Sequence, residues 1–407
     1  MSTNIELTVE RPANAGAGVG RDGDGRTIFC QGALPGERVQ VELTQQKKRF
    51  ARGVVTEVVD ASSERISPTC PTRHAGCGGC DLAHGTIEIQ REIKAHVVRD
   101  ALERIGRVPT DVIDNAWVGF TEPPDSGWYR TTARLAVSEG RLGYRRAGGH
   151  AVVLPDSCGV VHPKLERVIR EGRFPQSAGP EVTLRASEST GEVFVVIDGD
   201  PAGVSLPDEA RLLVRSDLER GQDVSMTEEA AGRSWVLSAG SFFQAGPAVA
   251  SHLVDAVRQA VGDVTGTVLV DAYCGVGLFA GTIGQTAEAV IAIESSDSSI
   301  SDAEKNLSEP HLEGVEVELI HARVEDWSPS RADVVIADPA RAGLGSEGVD
   351  ALVGADPSRF VLVSCDTGSF GRDSALLINH GYELESVRLV DAFRDTSHVE
   401  TIALFRR

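Results

Sequence analysis

The chain has 407 residues, 41% of them hydrophobic, and a formal net charge of −20. That length exceeds one typical core, so two or three domains are expected, and the acidic balance excludes non-specific nucleic-acid binding by the whole surface. No apolar run reaches the roughly 18 to 20 residues that cross a bilayer. The start, MSTNIELTVERP, lacks signal-peptide order, and seven cysteines do not suit a secreted disulfide framework. A cytoplasmic protein with no membrane partner is expected.

From the N-terminus, IELTVE, RTIFC, RVQVELT and RGVVTEVVD alternate apolar and polar residues with turn signals between them. Short strands at this spacing predict a small β-barrel over residues 1–60. Lys47, Lys48, Arg49 and Arg52 stand together in it without an intervening acid. SSERISPTCP reads as a linker into a central domain, 61–237. There a helix is predicted from about Thr86 to Ile105, followed by β-rich segments such as EVTLRASE and EVFVVIDGD. WYRTTARLAVSEGRLGYRR interleaves Arg130, Arg134, Arg141, Arg145 and Arg146 with aromatics. That pattern suits phosphate contact with base stacking, or a solvated sheet face. CPTRHAGCGGC supplies Cys70, Cys77 and Cys80, and PDSCGVVHP supplies Cys158. Thiolates at this spacing converge on one metal centre, and spacing alone leaves zinc and a 4Fe–4S cluster equally open.

From 238 to 407, VLVDA, AVIAIE, VEVELIH, ADVVIADP and FVLVSC alternate with helix-length stretches, which predicts an α/β domain with a parallel, Rossmann-like sheet. GTVLVDAYCGVGLFAG reads as strand, glycine-rich turn and helix start, and Gly275, Gly277 and Ala280 match G-x-G-x-x-A. Asp271, ahead of the glycines, repels pyrophosphate but suits the cationic amino-acid end of S-adenosylmethionine. Glu294 is placed to accept ribose hydroxyls. Cys274 reads as packing and Asp391 as a strand-end cap. In FVLVSCDTGSFGRD, Cys365 stands at the carboxyl end of a strand, where clefts form in open α/β sheets.

Together these segments resemble the RNA uracil-5-methyltransferase family, in its 23S rRNA branch, over essentially the whole chain. ALPGERVQVELTQQKKRFARGVV resembles the TRAM domain, an OB-like RNA-binding barrel. CGGC with Cys158 resembles 4Fe–4S ligands. SFFQ, ending at Gln244, DAYCGVGLF, with Tyr273 and Leu278, and DPARAG, with Asp338, resemble cofactor segments of a class I methyltransferase domain. SCDTGSFGRD resembles the nucleophile motif and DAFRDTSHVET the motif carrying the base, with His398 as its support. The resemblance implies S-adenosyl-L-methionine and an iron–sulfur cluster as cofactors, Cys365 as nucleophile, Glu400 as base, and an RNA-binding monomer. A tRNA-directed relative is the neighbouring alternative, in a branch that typically lacks the barrel and the cysteines. A dehydrogenase with a Rossmann domain is a third reading, which leaves Cys365, Glu400 and the four cysteines unexplained, and a non-catalytic cluster-bearing RNA binder is a fourth. The chain departs from the family at Asp366 and Thr367, where Asn-Pro is commoner, at Leu278, and at Arg323, where an acid or amide contacts adenine. Asp366 turned inward would raise the pKa of the thiol.

Overall fold

A computed structural model describes residues 4–121, 128–308 and 312–407. The first sixty residues form a six-stranded sheet in the order Asn4–Thr8, Arg38–Gln46, Phe50–Asp60, Thr27–Gln31, Ala17–Arg21, Arg11–Pro12. The chain runs from the strand at one edge, through Val9 and Glu10, directly into the strand at the other, so the sheet curls on itself as a small barrel. Alternation along RVQVELT puts Val39, Val41 and Leu43 inside with Leu7, Ile28 and Ala51, as the period of two along a strand requires. Lys47, Lys48 and Arg49 are exposed in the hairpin turn between the two longest strands.

The central region builds a second six-stranded sheet from strands between Thr132 and Val214, covered by the helix Pro163–Glu171. It also lends two elements to the C-terminal domain. Helix Ile87–Arg104, whose N-cap Thr86 accepts a bond from the Ile89 amide, packs on the helix Thr367–Asn379. Strand Trp117–Thr121 pairs in parallel with Glu383–Val390 at the edge of the largest sheet.

That sheet has eight strands in the order Glu316–His321, Ala289–Glu294, Val268–Ala272, Val334–Ala337, Arg359–Ser364, Glu400–Arg406, Glu383–Val390, Trp117–Thr121. All its pairings are parallel except the two made by Glu400–Arg406. This is the doubly wound, mostly parallel sheet that the alternation of strands and helices predicts. Its inner strands, such as VVIA and FVLVS, are buried on both faces, which is why they read as unbroken apolar runs.

One expectation fails. The glycine-rich turn after Ala272 leads into a series of tight turns and a short 3-10 helix, Gly284–Thr286, instead of an α-helix. The Ala280 amide donates to the Asp271 carboxylate instead of a helix carbonyl, and glycine is required at two close approaches: a Cβ on Gly277 would lie 2.9 Å from Leu307, and one on Gly281 would lie 2.5 Å from the Arg233 guanidinium. Among the described residues, no helix is long and apolar enough to cross a membrane.

Candidate active site

At the carboxyl end of the central strand, Cys274 N donates to Ile293 O over 3.0 Å and pins the turn to the next strand. Tyr273 and Gly275 take left-handed backbone angles, φ 61° and 58°, which in a tyrosine persists only when neighbours hold it. Asp271 is fully buried. One of its oxygens accepts from Ala280 N at 2.7 Å, and the other has no partner. Burial, with Asp338 and Glu294 nearby, pushes its carboxyl up to about 8. The Glu294 carboxylate accepts from the amides of Gly275, Ser295 and Ser296 at 2.7–2.9 Å. It therefore shapes the turn, a role that the sequence did not suggest.

A cleft over this turn is lined by Phe242, Gln244, Tyr273, Gly275, Leu278 and Asp338, among others. Gln244 donates to Asp338 at 3.1 Å. Asp271, Gly277, Glu294 and Arg323 are not among its lining residues. Arg323 is exposed and turned to Glu325, which also accepts from the Tyr273 hydroxyl at 3.4 Å. Phe242 of SFFQ also lines the cleft and is 68% exposed, which no sequence pattern reveals.

A second cavity, about 240 Å3, is lined by Arg341, Cys365, Thr367 and His398, by Asp81 of the central region and by Asn14 and Ala15 of the barrel. All three parts of the chain therefore meet around Cys365. Strands Arg359–Ser364 and Glu400–Arg406 pair Ser364 with Thr401, and Cys365 and Glu400 hold the next position on each. Burial, then Glu400, then Asp338 push the Cys365 thiol up to about 11, and Arg341 opposes them. Glu400 is 5% exposed; burial and then Asp338 raise its carboxyl to about 8, again against Arg341. Burial raises Asp338 itself to about 6. Asp338 thus joins the two cavities electrostatically. Asp366 also lines the Cys365 cavity, but its carboxylate caps the helix Thr367–Asn379 by accepting from Ser369 N at 2.9 Å, and it is not among the groups that raise the thiol. His398 lines the cavity and packs edge-on against Phe393. Asp391 is no mere strand cap, because buried Lys94 donates to it at 2.5 Å.

Cys70, Cys77, Cys80 and Cys158 line a third cavity of about 220 Å3, where the Tyr144 hydroxyl donates to Cys158 Sγ at 3.3 Å. Among the described residues, no three His, Cys, Asp or Glu side chains stand as the ligands of a metal ion. Burial raises the thiols of Cys77 and Cys80, the latter to about 12, with Asp395 adding to Cys80. The arginine-rich strands of the central sheet are less free than their sequence suggests. Arg134 and Arg145 both pair with Glu181, and Arg130 stacks over Tyr129 and Phe393.

Comparison with known proteins agrees with this layout. Residues 3–56 match the TRAM domain, and residues 224–407 match the family described as tRNA (Uracil-5-)-methyltransferase. An uncharacterized RNA methyltransferase of Corynebacterium glutamicum is 35% identical over 99% of this chain and 97% of its own length. The 23S rRNA (uracil(1939)-C(5))-methyltransferase RlmD of Shewanella halifaxensis is 30% identical, over 100% and 96%. The solved structure of the Pyrococcus abyssi tRNA (uracil-54, C5)-methyltransferase with S-adenosyl-L-homocysteine superposes with a TM-score of 0.71 at 26% identity, covering 98% of this chain and 99% of that one. An enzyme named for tRNA thus shares nearly the full length, so the barrel does not separate the rRNA branch from the tRNA branch as expected. This chain belongs to the RNA uracil-5-methyltransferase family and carries a TRAM domain ahead of its methyltransferase domain.

Proposed function

We propose that this enzyme methylates C5 of a uracil in 23S rRNA through a covalent cysteine adduct. The observation that carries the reading is the strand register that brings buried Glu400 beside Cys365, which itself lines a cavity shared by all three parts of the chain. Uracil C5 is a weak nucleophile. Addition of the Cys365 thiolate at C6 makes an enolate whose C5 is carbanion-like and takes the methyl group. Glu400 then removes the C5 proton, and the C6–S bond breaks to return the thiolate. The base must leave its stack to enter, which is cheapest from an unpaired loop.

Gln244, Tyr273, Gly275, Leu278 and Asp338 would hold S-adenosyl-L-methionine, with Asp271 and Glu294 fixing the turn beneath it. The unpartnered buried oxygen of Asp271 fits a cationic ligand nearby. When bound, that cofactor supplies an electrophilic methyl group.

The cysteine cavity fits a 4Fe–4S cluster better than a single zinc ion. Four thiols surround about 220 Å3, whereas zinc draws its sulfurs to about 2.3 Å. A tRNA substrate is the second reading, favoured by the Pyrococcus abyssi likeness. Methyl transfer to 23S rRNA and tRNA transcripts, with 5-methyluridine mapped in cells with and without the gene, tests both. Labelling of tRNA alone would move the substrate, and labelling of neither would overturn the reading.

A further inference from the structure

The segment from Asp391 to Val399 leads into Glu400, and its middle is strained. Asp395 has φ 66°, a left-handed angle that a non-glycine residue keeps only where its surroundings impose it. The constraint comes from the residues that follow Cys80. Asp395 N donates to Gln90 Oε1 at 2.9 Å, Gln90 Nε2 donates to Asp395 Oδ1 at 3.0 Å, and Leu82 N donates to Asp395 O at 2.9 Å. Lys94 Nζ reaches both Asp391 and the carbonyl of Phe393. Nearest the base, Asp81 accepts from Ser397 N at 2.8 Å and from Ser397 Oγ at 2.7 Å. The barrel closes on the same carboxylate: a Cβ on Gly16 would lie 2.5 Å from Asp81 Oδ2.

A second route joins the same places. Tyr129 and Arg130 line the cysteine cavity. Phe393 packs edge-on against Tyr129 at 6.0 Å and lies 5.4 Å beneath the Arg130 guanidinium. Its ring also meets His398 at 6.0 Å, beside Cys365.

We propose that Asp81 is a positioning residue for the base. By fixing Ser397, three residues before Glu400, it transmits the order of the Cys80 segment to the carboxylate that removes the C5 proton. The proposal rests on the assignment of Cys365 and Glu400 above. It makes the cysteine cavity part of the catalytic framework, since whatever the thiols hold fixes Cys80 and, one residue on, Asp81.

The test uses full-length Asp81→Ala and Asp81→Asn, with metal content measured to show that the cysteine cavity is unchanged. Asp81→Ala should slow turnover about ten- to a hundredfold, as misplacement of a catalytic group does, with KM for RNA nearly unchanged. The covalent RNA adduct should accumulate, because the base step has become slow. Asp81→Asn keeps an acceptor for the Ser397 amide and should recover most of the loss. Ser397→Ala, which deletes only the hydroxyl bond, should shift rate and adduct the same way by a smaller factor, and it carries the test if Asp81→Ala does not fold. Amide hydrogen exchange across 391–400 should quicken in Asp81→Ala, and likewise when iron is chelated from the wild-type protein.

Unchanged exchange across 391–400 would overturn the proposal. So would slowed turnover without adduct, provided that Glu400→Gln accumulates adduct in the same assay. If Glu400→Gln accumulates none, the assignment of the base fails instead, and the exchange measurement still decides whether Asp81 holds the segment.

Discussion

Cys365 and Glu400 stand one residue beyond the last register pair, Ser364 with Thr401, of two antiparallel strands. Strand pairing thus brings the proposed nucleophile and the proposed base together, near enough for Glu400 to act on the thiol. The same closeness lets Glu400 raise the pKa of the thiol. Burial and Glu400 hold the thiol protonated, and burial and Asp338 do the same for Glu400.

The two residues should fail differently. Cys365→Ala should abolish methyl transfer while leaving cofactor binding intact, because no enolate forms. Glu400→Gln should slow turnover by about 10²–10⁴-fold, the usual worth of a positioned acid or base, and leave a covalent RNA adduct visible as a slow band on a denaturing gel. Near-normal turnover by Cys365→Ala would remove the mechanism.

Rate should climb with pH. Both working forms are unprotonated, and Glu400 lies near 8 and Cys365 near 11 in the free enzyme. The kcat/KM profile should therefore rise through the region around 8, where an ordinary carboxylate would already be flat. A profile flat from mild acid upward would contradict the burial of Glu400.

Stability should move the opposite way. A carboxyl raised from 4.5 to about 8 in the folded state contributes most below 4.5, and its contribution is lost as pH rises toward 8. Glu400→Gln should accordingly melt above wild type near pH 8 and alongside it near pH 4.5, as read by thermal unfolding. An equal melting point at both would place the charge in water.

Anaerobically purified protein should be brown, with about four irons per chain. Replacing any of Cys70, Cys77, Cys80 or Cys158 by serine should reduce the iron content. Stoichiometric zinc without iron would exclude the cluster.

RNA affinity should depend on the barrel hairpin. Neutralising Lys47, Lys48, Arg49 and Arg52 should flatten the salt dependence by roughly one unit of slope per lost phosphate contact. Neutralising Arg134 and Arg145, already paired with Glu181, should change it much less. The reverse ranking, measured by binding titrations over a salt series, would move the RNA to the central sheet.

What could be read in advance follows physical lines. Strands buried on both faces declare themselves as apolar runs, so the parallel sheet and the end position of Cys365 were legible. The helix at Ile87–Arg104 was legible too, its start marked by Thr86. Cross-chain relationships were not. Glu181 sits far in sequence from both arginines that it neutralises. The roles of Asp81 and Arg341 depend on a cavity that no local pattern describes. The hold of Glu294 on three amides was not legible either, because it depends on the turn folding back over the strand end. Asp366 was suspected for its charge, when its place before a helix made it a cap.

The pairing of Trp117–Thr121 with Glu383–Val390 bears on how the protein is made. Thr121 bonds the carbonyl of Leu389, 268 residues later. A ribosome therefore releases the first strand of the largest sheet long before its neighbour exists, and that edge waits unpaired through most of synthesis. Long-range pairings of this kind fold slowly and expose strand edges meanwhile. Glu400–Arg406 also follows its partner Arg359–Ser364 in the chain, so Cys365 is made before the strand that brings Glu400 to it. Until that later strand is made, Cys365 stands without Glu400.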